Sequence, residues 1–155
     1  MRIAIGSDHA GYELKQYLRA HLEAAGHEIV DCGCDGPESV DYPEFGAAVG
    51  RTVSAGDAER GVIVCGTGIG ISMAANKVPG IRAALVHDRF GAQMSREHND
   101  ANVLAMGARV LDPKHARELT DLWLATEFEG GRHARRVGKI DALAQLPDGA
   151  GSTSR

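Results

Sequence analysis

The sequence predicts an α/β fold in which a five-stranded parallel sheet is wound on both faces by helices, a three-layer α/β/α domain. Two observations carry this. Short apolar runs bounded by glycine or polar residues alternate with stretches of helical periodicity along nearly the whole chain. The 155 residues also suffice for a single buried core, and 43% apolar against 25% charged residues is an ordinary globular balance. Strands connected through helices in this way are parallel, and the sheet is buried on both faces.

The elements follow in order. Strands are predicted at Arg2–Gly6, His27–Asp31, Gly61–Cys65, Arg82–His87 and Asn102–Met106, several of them rich in Val and Ile. Leu14, Leu18 and Leu22 recur every four residues in a first helix over Gly11–Ala25, which Gly26 stops. A second helix runs from Pro43 to about Ser54, with proline in its first turn. Further helices are predicted over Ile71–Lys77, Arg89–Glu97, Pro113–Glu127 and Arg132–Leu146. The domain therefore spans residues 1–146, and the small, polar tail Pro147–Arg155 is expected to lack order.

Composition removes several classes of function. A net charge of −4 lacks the basic footprint of a nucleic-acid binder. The apolar runs are too short to span a bilayer, and the start MRIAIGSDHAG enters a strand without a signal-peptide pattern, so a cytoplasmic location is expected. Cys32, Cys34 and Cys65 do not form a disulfide framework, and Cys32-Gly33-Cys34 has no second ligand pair to complete a zinc site. No metal is expected.

In doubly wound sheets, ligands bind beyond the carboxyl ends of the strands. That rule selects Ser7-Asp8-His9, the loop CGTGIG at 65–70, Asp88, and the segment after Met106. The loop departs from a dinucleotide fingerprint: Gly66, Gly68 and Gly70 place the third glycine one position early, in the third βα unit, although Asp88 lies at a suitable distance. No Walker lysine-serine pair follows it. Nucleotide binding is therefore the weaker reading. The stronger one makes the loop a cradle of N–H groups for a transient oxyanion, helped by the helix that follows. The same field favours the thiolate of Cys65, which then attacks a carbonyl or removes a proton α to one.

Other groups accompany it. His98 and Asn99 end a helix pattern and offer an acid or base and an amide donor, or else a polar helix terminus. Asp8 also suits the cap of the first helix. In EGGRHARRVGKI, Arg132 and Arg136 share a helical face and are phosphate ligands in kind. The preceding Gly130-Gly131 would let that helix leave its own domain and reach a neighbouring subunit.

Taken together, SDHAGYELK (7–15), DYP (41–43), CGTGIGISMAANKVPGIRAAL (65–85), SREHNDANVLAMGARV (95–110) and EGGRH (129–133) resemble the ribose-5-phosphate isomerase B family. The resemblance covers nearly all of residues 1–146 and implies a Rossmann-like fold and aldose–ketose isomerisation of ribose 5-phosphate and ribulose 5-phosphate through an enediolate, without cofactor. Erythrulose 4-phosphate, allose 6-phosphate and galactose 6-phosphate are alternative substrates among relatives. One branch of the family has a cysteine before the loop and the other a glutamate at the position of Ile71; Cys65 and Ile71 place this chain in the cysteine branch. The resemblance implies Cys65 as the base and Thr67 as a proton relay. Gly66, Gly68, Gly70 and Asn99 hold the enediolate, and His98 opens the sugar ring with Asp8 nearby. His9, Arg109, Arg132 and Arg136 bind phosphate, and Tyr42 lines the pocket. It also implies a homodimer, in some members a tetramer, with each site built across the interface.

Overall fold

The computed structural model describes residues 1–145. Five strands, β1 (Arg2–Ser7), β2 (Glu28–Asp31), β3 (Arg60–Cys65), β4 (Ala83–Leu85) and β5 (Val103–Gly107), form one sheet. Six helices accompany them: α1 (Tyr12–Ala24), α2 (Tyr42–Ser54), α3 (Ile69–Ala75), α4 (Arg89–Glu97), α5 (Pro113–Ala125) and α6 (Arg132–Leu143). All strand pairs are parallel, in the order β2-β1-β3-β5-β4. The predicted class and every predicted element are present.

Alternation along the strands divides the interior in two. Ile3, Ile5, Val62, Val64, Leu104 and Met106 point to one face, where Leu14, Leu18 and Leu22 of α1 and Leu119 and Trp123 of α5 cover them. Ala4, Ile63, Cys65, Val103 and Ala105 point to the other, under Val49 of α2 and Ile71 and Ala75 of α3. Burial of both faces is what a parallel sheet requires. Ile71 is fully buried and serves this second layer.

The differences from prediction lie at element ends. β4 is three residues long instead of six, although the Val86 N–H still donates to the Ala105 carbonyl (3.0 Å). Beyond it a side chain replaces the backbone: the Gly107 N–H donates to His87 Nε2 (3.1 Å), which ends the ladder. Helix α3 starts at Ile69, two residues early, because Gly68 in a left-handed conformation (φ +77°) turns the chain into it. α6 ends at Leu143, and the predicted tail Pro147–Arg155 lies outside the described residues. α6 does not stand away from its domain. His133 and Val137 bury against it, and Arg82 Nη1 holds both carboxylate oxygens of Asp141 (2.8 and 3.0 Å).

One charged anchor fixes the first loop. Lys15 on α1 is 1% exposed; its ammonium donates to Asp31 Oδ1 (2.8 Å) and to the Cys34 carbonyl (2.6 Å). Burial alone would raise the Asp31 pKa, but the hydrogen bonds from Lys15 and the Gly33 N–H, with the charges of Lys15 and Arg19, hold it below its usual value. Removing one partner of a fully buried pair costs about 3–5 kcal/mol. Asp31 keeps some water and Arg19 (3.0 Å), so Lys15→Met is expected to cost less, about 2–3 kcal/mol at pH 7, by urea unfolding. Since the folded Asp31 pKa is depressed, its contribution is complete above the unfolded value of 3.8 and is lost as pH falls through the folded value. The gap between wild type and Lys15→Met should therefore close below about pH 4; a gap constant from pH 7 to pH 3 would refute the linkage.

Candidate active site

The strand order decides which strand ends meet. β1 and β3 are neighbours at the point where the chain reverses its direction across the sheet, and β5 lies directly beyond β3. Their carboxyl ends carry Asp8-His9, Cys65-Gly66 and Gly107–Arg109. Of these, Asp8, His9, Cys65, Gly66 and Arg109 line a cleft of about 490 Å³ together with Tyr42, Thr67, Ile69, Gly70 and Met73.

Cys65 forms its floor. The residue is 4% exposed, and the Gly68 N–H donates to its sulfur at 3.1 Å. An amide aimed at sulfur favours negative charge there. Two further hydrogen bonds continue the β3–β5 ladder into the loop: Ala108 N–H to the Cys65 carbonyl (2.9 Å) and Arg109 N–H to the Gly66 carbonyl (3.0 Å). The Thr67 hydroxyl, exposed at the mouth, accepts from the Ile69 N–H (3.2 Å). Gly107 lies against the Thr67 backbone so closely that a Cβ there would stand 2.7 Å from its carbonyl atoms. Gly70 likewise leaves room for the Tyr42 ring.

The β1 end supplies the opposite wall. Asp8 is buried and its Oδ1 accepts from the Gly11 N–H (3.0 Å), so it closes the turn that enters α1 rather than capping the helix itself. His9 Nδ1 accepts from the Val40 N–H (3.2 Å). That bond leaves the ring proton on Nε2, a donor suited to an anion. Arg109 is exposed and, among the described residues, has no ion-pair partner. Asp88, the acid a nucleotide site would use, accepts from the Gly91 N–H (2.6 Å) as the cap of α4.

The remaining predicted residues lie at the other end of the sheet. α4 runs from the carboxyl end of β4 back to the amino end of β5, so His98 and Asn99 at its terminus are separated from Cys65 by the length of β5, about 16 Å at 3.3 Å per residue. There the turn is tied by two arginines. Arg82 donates to the carbonyls of Asn99 (3.2 Å) and Asp100 (3.0 Å), and the 3%-exposed Arg96 donates to Asp100 Oδ1 (2.8 Å) and the Ala101 carbonyl (2.6 Å). Glu129 N–H donates to the Glu97 carbonyl (3.0 Å), which brings the start of α6 to the same place. Arg132 and Arg136 are exposed there without a carboxylate partner among the described residues. A hollow of about 630 Å³ alongside includes Asn99 but no cysteine or histidine.

Thus one chain holds Asp8, His9, Tyr42, Cys65, Gly66, Thr67, Gly68, Gly70 and Arg109 together, and holds His98, Asn99, Arg132 and Arg136 together elsewhere. Sequence reading missed His133, whose ring stacks on that of His98 with centroids 4.1 Å apart and planes 11° apart. It also missed Lys15 and Gly107. The motif blocks around each carried the signal, but only the fold shows what they touch.

The model of the ribose/galactose isomerase family matches residues 3–140. The putative sugar phosphate isomerase YwlF of Bacillus subtilis is 51% identical over 141 residues, covering 90% of this chain and 95% of that protein. Ribose-5-phosphate isomerase B of Escherichia coli is 46% identical over 144 residues, covering 93% and 97%. Among solved structures, the Clostridium thermocellum ribose-5-phosphate isomerase B superposes with a TM-score of 0.92 at 54% identity, over 94% of this chain and 98% of that one.

The geometry separates two glycines. At Gly68 a Cβ would sit 2.7 Å from the Met106 carbonyl carbon in a left-handed backbone, whereas at Gly66 it meets only the mobile end of Arg109. Gly68→Ala is expected to lose about 2 kcal/mol of stability or more from the backbone conformation alone. Gly66→Ala should lose well under half of that, because Arg109 swings aside. Urea unfolding of both variants compares them; equal losses would contradict the packing described for the loop.

Proposed function

This chain belongs to the ribose/galactose isomerase family, and from that premise we propose that it interconverts ribose 5-phosphate and ribulose 5-phosphate through an enediolate, with Cys65 as the base. The observation that carries this is the buried Cys65 sulfur, in hydrogen-bond contact with a loop amide, in one cleft with His9 and Arg109. A base, N–H donors and an anion anchor are what isomerisation of a sugar phosphate requires.

The steps follow from these positions. His9 Nε2–H and Arg109 bind the phosphate, joined by Arg132 and Arg136. His98 moves the proton between the anomeric hydroxyl and the ring oxygen, with Asp8 nearby, so that the furanose opens. The Cys65 thiolate then takes the C2 proton of the open aldose, and the electron pair forms the C1–C2 double bond as O1 becomes negative. Loop N–H groups and the Asn99 amide stabilise that charge; one such donor is worth about 3 kcal/mol of barrier. The sulfur returns its proton to C1 while Thr67 relays the O2 proton toward O1, leaving the ketone at C2.

His98, Asn99, Arg132 and Arg136 sit too far from Cys65 to join it within one chain, so the working site combines two chains, each giving one set to the other. The carboxyl edge of the sheet supports this: Ile69, Met73, Leu85, Phe90 and Val110 are all exposed there, Phe90 to 76%. Apolar area of that kind marks an interaction surface. The pair is a homodimer in the simplest closed arrangement.

The family description spans ribose and galactose, so sugar length is the open variable. Turnover across four- to six-carbon aldose phosphates, run in deuterated water, tests the assignment. Ribose 5-phosphate should give the highest kcat/KM, with deuterium entering at C1 or C2, and Cys65→Ala should lose about 10²–10⁴-fold. Near wild-type turnover by Cys65→Ala on every sugar would sink the mechanism. Shared sites have their own test. Cys65→Ala and His98→Asn chains, refolded together, should recover about a quarter of wild-type turnover, since random pairing makes half the dimers mixed, each with one intact site. No recovery would place both sets in one chain's site.

A further inference from the structure

His98 acts in the proposed ring opening, and the side chains packed around it take no part in those steps. The His98 ring, 39% exposed on its side chain, lies face to face with the ring of His133, which is buried. One carboxylate oxygen of Glu129 stands 3.9 Å from His98 Nε2 and 3.5 Å from His133 Nε2. His133 and Glu129 are four residues apart across the start of α6, and the Glu129 backbone is tied to Glu97, next to His98. All three side chains are thus fixed relative to one another by α6 and by the terminus of α4.

The three ligand atoms lie within 4.8 Å of one another, close enough to suggest a cation. Two features oppose it. Stacked rings direct their nitrogen lone pairs side by side instead of toward one point. Arg132 and Arg136 also place positive charge at the cluster.

We propose that Glu129 and His133 are positioning residues for His98: the stacked His133 ring sets the plane of the His98 imidazole, and the Glu129 carboxylate stabilises the positive charge His98 gains during ring opening. Neither need touch the sugar. Two imidazolium rings cannot stack at this distance without repulsion, so one of the pair must stay neutral. Burial, then the charges of His98, Arg132 and Arg136, lower the His133 pKa against the opposing pull of Glu129. His133 is therefore the neutral member of the stacked pair. The step balances: the proton His98 takes from the anomeric hydroxyl is the one that reaches the ring oxygen, and Glu129 accepts none.

The inference rests on the isomerase reading, and a double-mutant cycle in the full-length enzyme separates the two. Glu129→Gln is expected to lower kcat on ribose 5-phosphate at least tenfold with KM nearly unchanged, because the phosphate ligands are intact. In a His98→Asn background the same change should cost almost nothing, since Glu129 acts only through His98. His133→Phe keeps a ring to stack on and should retain most of the turnover, whereas His133→Ala should fall with Glu129→Gln; thermal melts check that all five variants are folded. An equal loss from Glu129→Gln in both backgrounds, a loss confined to KM, or no loss in the wild-type background overturns this proposal and leaves the isomerase reading standing. A wild-type chain without isomerase activity overturns both.

Discussion

The site depends on the pairing of β5 against β3. Because β5 inserts between β3 and β4, its ladder with β3 continues past the strand ends as two further backbone bonds, Ala108 to Cys65 and Arg109 to Gly66. Those bonds hold the first half of the glycine loop as if it were still strand. Gly107 then lets the Thr67 backbone lie against β5, and the left-handed Gly68 turns the chain into α3 with its N–H directed back at the Cys65 sulfur. Had β4 been the neighbour of β3, Arg109 would stand one strand further off and the loop would lose its floor. The same pairing thus fixes the Cys65 sulfur, its hydrogen-bond donor and the place of Arg109.

Buried charge does the corresponding work in the loops. Lys15 joins the Asp31–Cys34 segment to α1 beside Asp8 and His9. Arg96, buried over the Trp123 ring at 5.7 Å, and Arg82 gather the carbonyls of residues 99–101 around Asp100, whose φ of +46° closes the turn. Such groups are costly to bury, and each is satisfied by several acceptors. They act at the two places where a loop must present a side chain in one orientation, His9 in the first case and His98 in the second.

Much of this was legible in the sequence, for reasons that differ by level. The strands were legible because parallel strands buried on both faces read as continuous apolar runs, and Leu14, Leu18 and Leu22 gave α1 its period. Cys65, the glycines and Asp8-His9 were legible because each follows a strand directly, and strand ends are where such folds bind ligands. The partition of the site was not. His98 and Arg132 lie on motif blocks as distinct as CGTGIG, yet nothing in their spacing reveals that α4 returns to the amino edge of the sheet before His98 appears. Lys15 was hidden for another reason: a lysine on an amphipathic helix reads as solvated, and only the fold shows Asp31 and the Cys34 carbonyl around it.

Helix α6 is held against its own domain from both ends. Gly130 and Gly131 suggested an arm free to swing, but Arg82–Asp141 at one end, and at the other His133 stacked on His98 and the Glu129 N–H on the Glu97 carbonyl, fasten the helix to its own domain. Arg132 and Arg136 therefore occupy fixed positions relative to His98 and Asn99 before any second chain arrives. On the proposed pairing each chain would contribute one preformed half-site: Cys65, the loop amides, His9 and Arg109 at the carboxyl edge, and His98, Asn99, Arg132 and Arg136 at the amino edge. Joining two preformed halves costs little ordering of side chains at the moment of binding, which is where preorganisation saves free energy. On that proposal catalysis is linked to association, because a free chain holds Cys65 without His98 beside it. For this fold, dilution should act on turnover before it acts on folding.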